Sequence, residues 1–336
     1  MKIGNIELGD FPLLLAPMED VSDPPFRSVC KENGADLMFT EFISSEGLIR
    51  NAEKSTQKLD IYDSERPIGI QIFGDKIESM KKAASISEAA NPEIIDINYG
   101  CPVKKVACKG AGAGILLDIN KMQKMTSEIV KQVKKPVTVK TRLGWDDNSI
   151  KIVEVAERLQ DVGIQALTIH GRTRKQMYKG EANWEYIAEV KNNPRINIPI
   201  FGNGDINSPE KAKKYKNKYG VDGIMIGRSA IGNPWIFNKI KTYIKENKHI
   251  KNPSLNDRIE TVKKHLDFSI KWKGERLGLV EMRRHYTNYF RGMDNFKKHR
   301  MKLILSESKN FTLEALNEIS NIYSKNKELA EEARKD

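Results

Sequence analysis

Short apolar runs recur along the first part of the chain, each followed by a longer amphipathic stretch. The runs are 13–16, 37–40, 68–72, 94–98, 137–140, 166–170, 198–201 and 223–226. Apart from Val137-Thr-Val-Lys140, none alternates strictly between apolar and polar residues. Each therefore reads as a strand buried on both faces, the habit of parallel strands. Helix signals fill the gaps. Asp23 can cap a helix that Pro24 and Pro25 open, with Phe26, Val29 and Cys30 on one face and Gly34 ending it. Ser208 with Pro209 repeats that signal. Further helices are expected from Ser44, after Asp75, from near Asn120, over 148–160, near Trp184 and after Asn233-Pro234. Eight strand–helix units at this length predict a (β/α)8 TIM barrel, with an open doubly wound sheet as the alternative.

Past position 245 the strands stop. Ser254 with Asp257 offers a helix start, and Ile259, Val262, Leu266 and Ile270 follow at helical spacing. Helices over 275–291, 295–305 and 312–323 complete a small all-α helical bundle. The expected organisation is a catalytic α/β barrel over 1–243 and a helical domain over 244–336. The last stretch, from Ser306, reads as a slightly acidic helix and a Lys/Glu-rich tail.

Charge sharpens this division. The chain carries +12, and residues 241–336 hold 22 Lys+Arg against 14 Asp+Glu. A basic helical region points to a polyanion partner, most plausibly nucleic acid. Arg283, Arg284, Arg291, Lys297, Lys298 and Arg300 mix there with Tyr286, Tyr289 and Phe290. Aromatics among cations suit stacking and phosphate contact on RNA. The plain alternative is aromatics in the bundle core and cations on the wet face. No apolar run is long enough to span a bilayer, and no signal peptide is expected. Three cysteines, at 30, 101 and 108, form no CxxC pair. That argues against a disulfide framework or zinc site and for a reducing cytoplasm.

In a barrel of this kind the chemistry sits at the C-terminal ends of the strands. Those ends carry Ala16-Pro17-Met18, Gln71, Asn98 with Cys101, Lys140 with Arg142, His170 with Arg172, Asn203-Gly204-Asp205, and Gly227-Arg228. Small residues after the last two strands let backbone N–H groups approach a phosphate, and Arg228 adds charge. Lys140, His170 and Gln71 facing the centre leave room for a flat ring, and a cation beside an electron-rich ring suits reduced flavin. Cys101, held between Gly100 and Pro102, is placed for chemistry, although free cysteines are often simply core. Cys30 reads as core and Cys108 as incidental. The glycines at 110, 112 and 114 have GxGxG spacing and follow no strand directly, so they are discounted as a dinucleotide fingerprint. No HxH or carboxylate cluster argues for a metal.

These residues fall into motifs. Ala16-Pro17-Met18 with Ser22-Asp23-Pro-Pro-Phe26-Arg27, and Asn98-Tyr-Gly-Cys101-Pro-Val-Lys-Lys-Val with Gly114-Ile-Leu-Leu, resemble the opening and central motifs of the tRNA-dihydrouridine synthases. Val139-Lys140-Thr-Arg142-Leu-Gly-Trp145, the run from His170 to Gly180, Gly202-Asn-Gly-Asp205 and Ile226-Gly-Arg228 resemble the later motifs, in order. The likeness covers roughly residues 10–240 closely and the helical region in layout, and the pattern resembles most the bacterial B-type enzymes. One departure is Met18-Glu19-Asp20-Val21, where many members have Met-Ala-Gly-Val or Met-Ala-Gly-Ile.

The resemblance implies an FMN enzyme that reduces uridine to dihydrouridine in tRNA, in the D-loop, with NADPH as electron donor. By position it assigns FMN to Ala16, Pro17, Met18, Gln71, Lys140, His170, Asn203, Gly204, Asp205, Gly227 and Arg228. It assigns the target uracil to Asn98. Arg172 and Arg174 are candidates for contact with RNA or flavin, and the sequence does not choose between the two. The resemblance makes Cys101 the proton donor, a role that calls for a thiol rather than a thiolate in the resting protein. A monomer carries every part. Two other readings share these features: a flavin oxidoreductase of free pyrimidines, and a non-catalytic RNA-binding barrel.

Overall fold

The computed structural model of the chain describes residues 1–332. Residues 333–336, the end of the expected Lys/Glu-rich tail, lie outside the described residues. The chain forms two compact units. One comprises residues 1–229 and 236–248, the other residues 230–235 and 249–336.

The first unit is a barrel. Its strands are β1 (Leu13–Leu15), β2 (Met38–Phe39), β3 (Ile68–Phe73), β4 (Ile94–Tyr99), β5 (Val137–Arg142), β6 (Ala166–His170), β7 (Ile200–Asn203) and β8 (Gly223–Ile226). Neighbours pair in parallel from β2 through β8, and β8 pairs with β1. A parallel bridge between Leu14 and Leu37, with Leu15 N–H donating to the Leu37 carbonyl at 2.9 Å, returns the sheet on itself. Each strand leads to a helix: α1 (Pro24–Glu32), α2 (Ser45–Ile49), α3 (Ile77–Ala89), α4 (Ile119–Gln132), α5 (Ile152–Asp161), α6 (Glu185–Lys191), α7 (Pro209–Tyr219) and α8 (Ile236–Glu246).

Local chemistry sets the boundaries. Asp23 caps α1 by accepting the Phe26 N–H at 3.0 Å, and Ser208 caps α7 by accepting that of Lys211 at 3.2 Å. Several boundaries differ from expectation, the helix expected over 312–323 running from Lys309 to Glu332 among them, and two have a clear local cause. β7 begins at Ile200 rather than 198, because Pro199 has no N–H to donate; its carbonyl accepts from Leu167 at 3.0 Å. α5 begins at Ile152 rather than 148, because Asp146 and Ser149 close a turn, with Ser149 Oγ donating to Asp146 Oδ1 at 2.7 Å.

The barrel interior changes character along its axis. At the N-terminal end, Leu14, Phe39, Ile94, Ala166, Phe201 and Met225 pack with Ile3 and Leu8. Those last two come from an N-terminal hairpin that pairs Lys2–Ile3 with Ile6–Glu7. Two residues further along each strand the same face carries Gln71, Asp96, Thr138 and Thr168. Two more bring Asn98, Lys140 and His170, and Asn203, two residues past Phe201, lies in register with His170. Side chains of a strand repeat on one face every second residue, so a short strand passes from greasy plug to polar site within five positions.

The second unit contains α9 (Leu255–Lys273), α10 (Glu275–Tyr289), α11 (Lys297–Ile304) and α12 (Lys309–Glu332). Ser254 and Asp257 form a capping box at the start of α9. Val262, Leu266, Met282, Leu316 and Ile319 make the core. Tyr286, Tyr289 and Phe290 join it, none more than 2% exposed. They pack rather than offer a stacking surface for RNA, because their helical spacing matches that of the core positions. Arg284, Arg291, Lys297 and Lys298 are exposed. Among the described residues no helix is long and apolar enough to cross a membrane.

Candidate active site

Cys101 stands on a turn fixed from four directions. Asn98 Oδ1 accepts the N–H groups of Gly100 and Cys101, each at 2.9 Å. Arg142 Nε donates to the Gly100 carbonyl at 2.7 Å, and Ala113 N–H donates to the Cys101 carbonyl at 3.0 Å. Gly112, at φ +51°, lies so close behind that a Cβ there would sit 3.0 Å from the Cβ of Cys101. The glycine-rich run is thus a support packed under the cysteine turn. Burial pushes the Cys101 thiol above its usual range; Arg142 and Lys140 oppose this, and Glu19 adds to it. That push favours the neutral thiol over the thiolate. Cys30 is buried in the core, and Cys108 is exposed.

Next to this turn, β5 carries Lys140 opposite Asn98 in register. Among the described residues its Nζ makes one hydrogen bond, a long one of 3.3 Å to Asn203 Oδ1. Burial, then Arg142, lowers its pKa to about 8. Asn203 is held in turn by its Nδ2 donating to the Met225 carbonyl at 2.8 Å. His170, 7% exposed, lies far below the usual histidine range through burial, with Arg142, Lys140, Arg172 and Arg228 adding to the effect.

Arg172 is 2% exposed, and its guanidinium is committed within the protein. Nη2 donates to both oxygens of Asp205, at 2.8 and 2.7 Å. Nε and Nη2 reach the carbonyls of Lys179 and Gly180, at 3.2 and 2.6 Å. Asp205 also accepts the Ala182 N–H at 2.7 Å. Burial pushes its carboxyl up, but the hydrogen bonds and charges of Ala182 and Arg172 outweigh that, so it stays below the ordinary value. Arg142 is equally internal, bonded from Nη1 to the carbonyls of Thr173 and Met177, at 3.1 and 2.9 Å.

Deeper in the barrel, Gln71 Nε2 donates to Asp96 Oδ2 at 2.5 Å, and Asn98 Nδ2 donates to Gln71 Oε1 at 2.8 Å. Burial raises the Asp96 carboxyl to about 6. Asp96 was not among the residues singled out from the sequence. Its signal there was an acid inside an otherwise apolar strand, a position that needs a partner.

The rim is cationic and aromatic. Arg228 and Arg142 lie 4.9 and 5.8 Å from the Tyr178 ring centre, and Arg174 lies 4.6 Å from that of Trp145. Tyr178 is 53% exposed. Ala16 N–H donates to the Ile226 carbonyl at 2.8 Å, which sets Ala16 to Met18 beside Gly227; a Cβ at 227 would meet Ala16 and Met18 at 3.6 and 3.7 Å. Directly after Met18, oxygens of Glu19, Asp20 and Glu41 gather within 4.8 Å, a carboxylate group invisible in the sequence. Lys58 Nζ reaches it, 2.6 Å from Glu19 and 3.9 Å from Glu41. Asp20 adopts φ +56°.

The arrangement gathers Lys140, Arg142, Arg172 and Arg228 around a few buried acids, with a thiol at one edge. That suits an anionic, electron-rich ligand and a proton transfer. Among solved structures, the chain resembles a histamine dehydrogenase from Rhizobium sp. 4-9, with TM-score 0.56 and 13% identity over 78% of this chain and 50% of that one. It likewise resembles a 2-naphthoyl-CoA reductase, with TM-score 0.56 and 12% identity over 72% and 51%. The chain spans about half the length of these structures, and the likeness concerns the fold. Closer relatives appear in sequence. A probable tRNA-dihydrouridine synthase of Rickettsia prowazekii is 39% identical over 301 residues, 89% of this chain and 91% of that protein. A tRNA-dihydrouridine synthase B of Pasteurella multocida is 39% identical over 293 residues, 87% of each. The family model described as dihydrouridine synthase matches residues 14–326, and the chain belongs to that family.

Proposed function

We propose that this protein reduces uridine in tRNA, in the D-loop, to 5,6-dihydrouridine, with FMN as its flavin and NADPH as electron donor. The observation that carries the reading is the Lys140 ammonium, half-buried in the barrel mouth with a single 3.3 Å hydrogen bond among the described residues. Such a cation calls for an anionic or electron-rich partner. The residues around it fit a flavin mononucleotide. Gly204, at φ +126°, and Gly227 leave backbone without side chains near the ends of β7 and β8, where barrels hold phosphate. Arg228 adds a positive charge there. Ala16 to Met18, Gln71, Lys140, His170, Asn203 and Asp205 would line or support the ring and ribityl chain.

The chemistry a bound flavin supplies is hydride delivery to carbon 6 of uracil. The residues of this chain do the rest. Lys140 holds positive charge beside the electron-rich ring. Asn98 orients the base, and Cys101 gives its proton to carbon 5. A neutral thiol can do this and a thiolate cannot, which agrees with the upward push of burial on Cys101. The target base must leave its stack to reach Cys101. The basic surface of the helical unit, with Arg284, Arg291, Lys297 and Lys298 exposed, would bind the tRNA backbone, an attraction that salt weakens.

The test is an anaerobic single turnover. The purified protein is reduced with NADPH and mixed with tRNA lacking dihydrouridine; flavin reoxidation is followed, and the digested tRNA is weighed. The expected result is reoxidation with a gain of two hydrogen atoms at one uridine. Reoxidation by orotate or free uracil with tRNA untouched would favour an oxidoreductase of free pyrimidines. A colourless protein that still binds tRNA would favour a non-catalytic binder.

A further inference from the structure

A series of hydrogen bonds runs from the middle of β4 back to the turn that carries Cys101. Asp96 Oδ2 accepts from Gln71 Nε2 at 2.5 Å. Gln71 Oε1 accepts from Asn98 Nδ2 at 2.8 Å. Asn98 Oδ1 accepts the backbone N–H groups of Gly100 and Cys101 at 2.9 Å each. Thr138 Oγ1 donates to the other Asp96 oxygen, at 2.5 Å. The members are buried: Gln71 0%, Asp96 2% and Asn98 6% exposed.

The series has a direction. An amide side chain has two orientations of nearly the same shape, with oxygen and NH2 exchanged. Here the two ends of the series remove that choice. A carboxylate only accepts, so Gln71 must present its NH2 to Asp96 and its oxygen to Asn98. Asn98 must then present its NH2 to Gln71 and its oxygen to the turn. The backbone N–H groups only donate, so the far end fits this sense alone. Reversing either amide would set donor against donor in a buried site.

We propose that Asp96 is a positioning residue: its carboxylate anchors one end of the series and, through Gln71 and Asn98, holds the turn that places Cys101. The consequence for turnover rests on the reading of Cys101 as proton donor; the effect on the position of Cys101 does not. Lys140 also faces Asp96 and feels its charge, so the test must keep a carboxylate in the series.

The readout is alkylation of Cys101 by iodoacetamide in the purified protein near neutral pH, timed by peptide mass spectrometry with exposed Cys108 as internal standard. Asp96→Asn offers one acceptor oxygen where the carboxylate gives one each to Gln71 and Thr138, so the anchor of the series weakens, and the loosened turn is expected to raise Cys101 alkylation about fivefold relative to Cys108. Asp96→Asn combined with Gln71→Glu moves the carboxylate one step along the series, where it still accepts from Asn98; the rate is expected to return to within about twofold of the parent. Gln71→Leu cuts the series with no change of charge and carries the same expectation as Asp96→Asn, should that variant fail to fold. An unchanged Cys101 rate in folded Asp96→Asn or Gln71→Leu protein overturns the proposal. So does an elevated rate that the paired exchange leaves in place. Failure of the proton-donor reading shows separately, as a Cys101→Ala variant that reduces tRNA at the parent rate.

Discussion

Arg172 donates from Nη1 to Nε2 of His170 at 3.2 Å. A guanidinium has no acceptor, so Nε2 holds the lone pair and the imidazole carries its proton on Nδ1. Asp205 grips the same guanidinium with both carboxylate oxygens. The three residues lie on β6, the loop after it and the loop after β7. The charge pair thus sets which ring nitrogen of the histidine can donate a hydrogen bond.

Arg172→Met should therefore cost stability as well as flavin. Removing one member of a buried ion pair typically costs about 3–5 kcal/mol. The lower end applies here, because the Asp205 side chain keeps 19% exposure. Urea unfolding of the variant should show that loss, and flavin titration should show weaker binding. Arg172→Lys should recover little, since an ammonium lacks the fork that holds Asp205 and His170 together. Parent-like stability in either variant would contradict this role.

Cys101→Ala should keep flavin bound and NADPH oxidation intact while tRNA reduction slows by roughly 10²–10⁴-fold, the usual scale of a general acid. Stopped-flow reduction and reoxidation measure the two half-reactions separately. Loss of flavin in this variant would instead mark Cys101 as structural.

Lys140 has its pKa lowered to about 8, so in the flavin-free protein it is charged below that pH and neutral above. An anionic ring or phosphate raises the pKa again by favouring the ammonium. Flavin affinity should accordingly fall as pH rises through about 8 and beyond, with proton uptake on binding in that range. Lys140→Met should bind flavin weakly at all pH values and lose the step. Fluorescence titration of added FMN between pH 6.5 and pH 9.5 tests this; a step of equal size in Lys140→Met would assign it elsewhere.

His285 is buried in the helical unit, its ring 4.6 Å from that of His265. Burial first, then the charges of His265, Arg284 and Lys273, hold its pKa well below the ordinary histidine value. As pH falls through about 6.5, the unfolded chain takes a proton that folded His285 refuses. The folded state keeps its stability above that pH and loses it below, by about 1.4 kcal/mol per pH unit for one such group. Melting temperatures should fall between pH 7.5 and pH 5.5, and His285→Phe should flatten that slope. An unchanged slope would show that His285 does not set the acid limit.

The amino-acid sequence by itself determined the elements and the ring of residues at the strand ends. Apolar runs, Pro-opened helices and Ser or Asp caps act within a few positions, and a parallel barrel brings its strand ends together whatever the loops do. That is why Cys101, Lys140, His170 and Asn203 were legible as one site. Tertiary structure decided which polar atoms pair. Gln71 lies 25 residues from Asp96 and 27 from Asn98, and Arg172 lies 33 from Asp205; only strand register and side-chain direction bring them within reach. The same holds for Tyr286, Tyr289 and Phe290. Their composition suited RNA, but packing placed them in the core, because an aromatic ring gains more from burial than from water when its helix offers it an inner face.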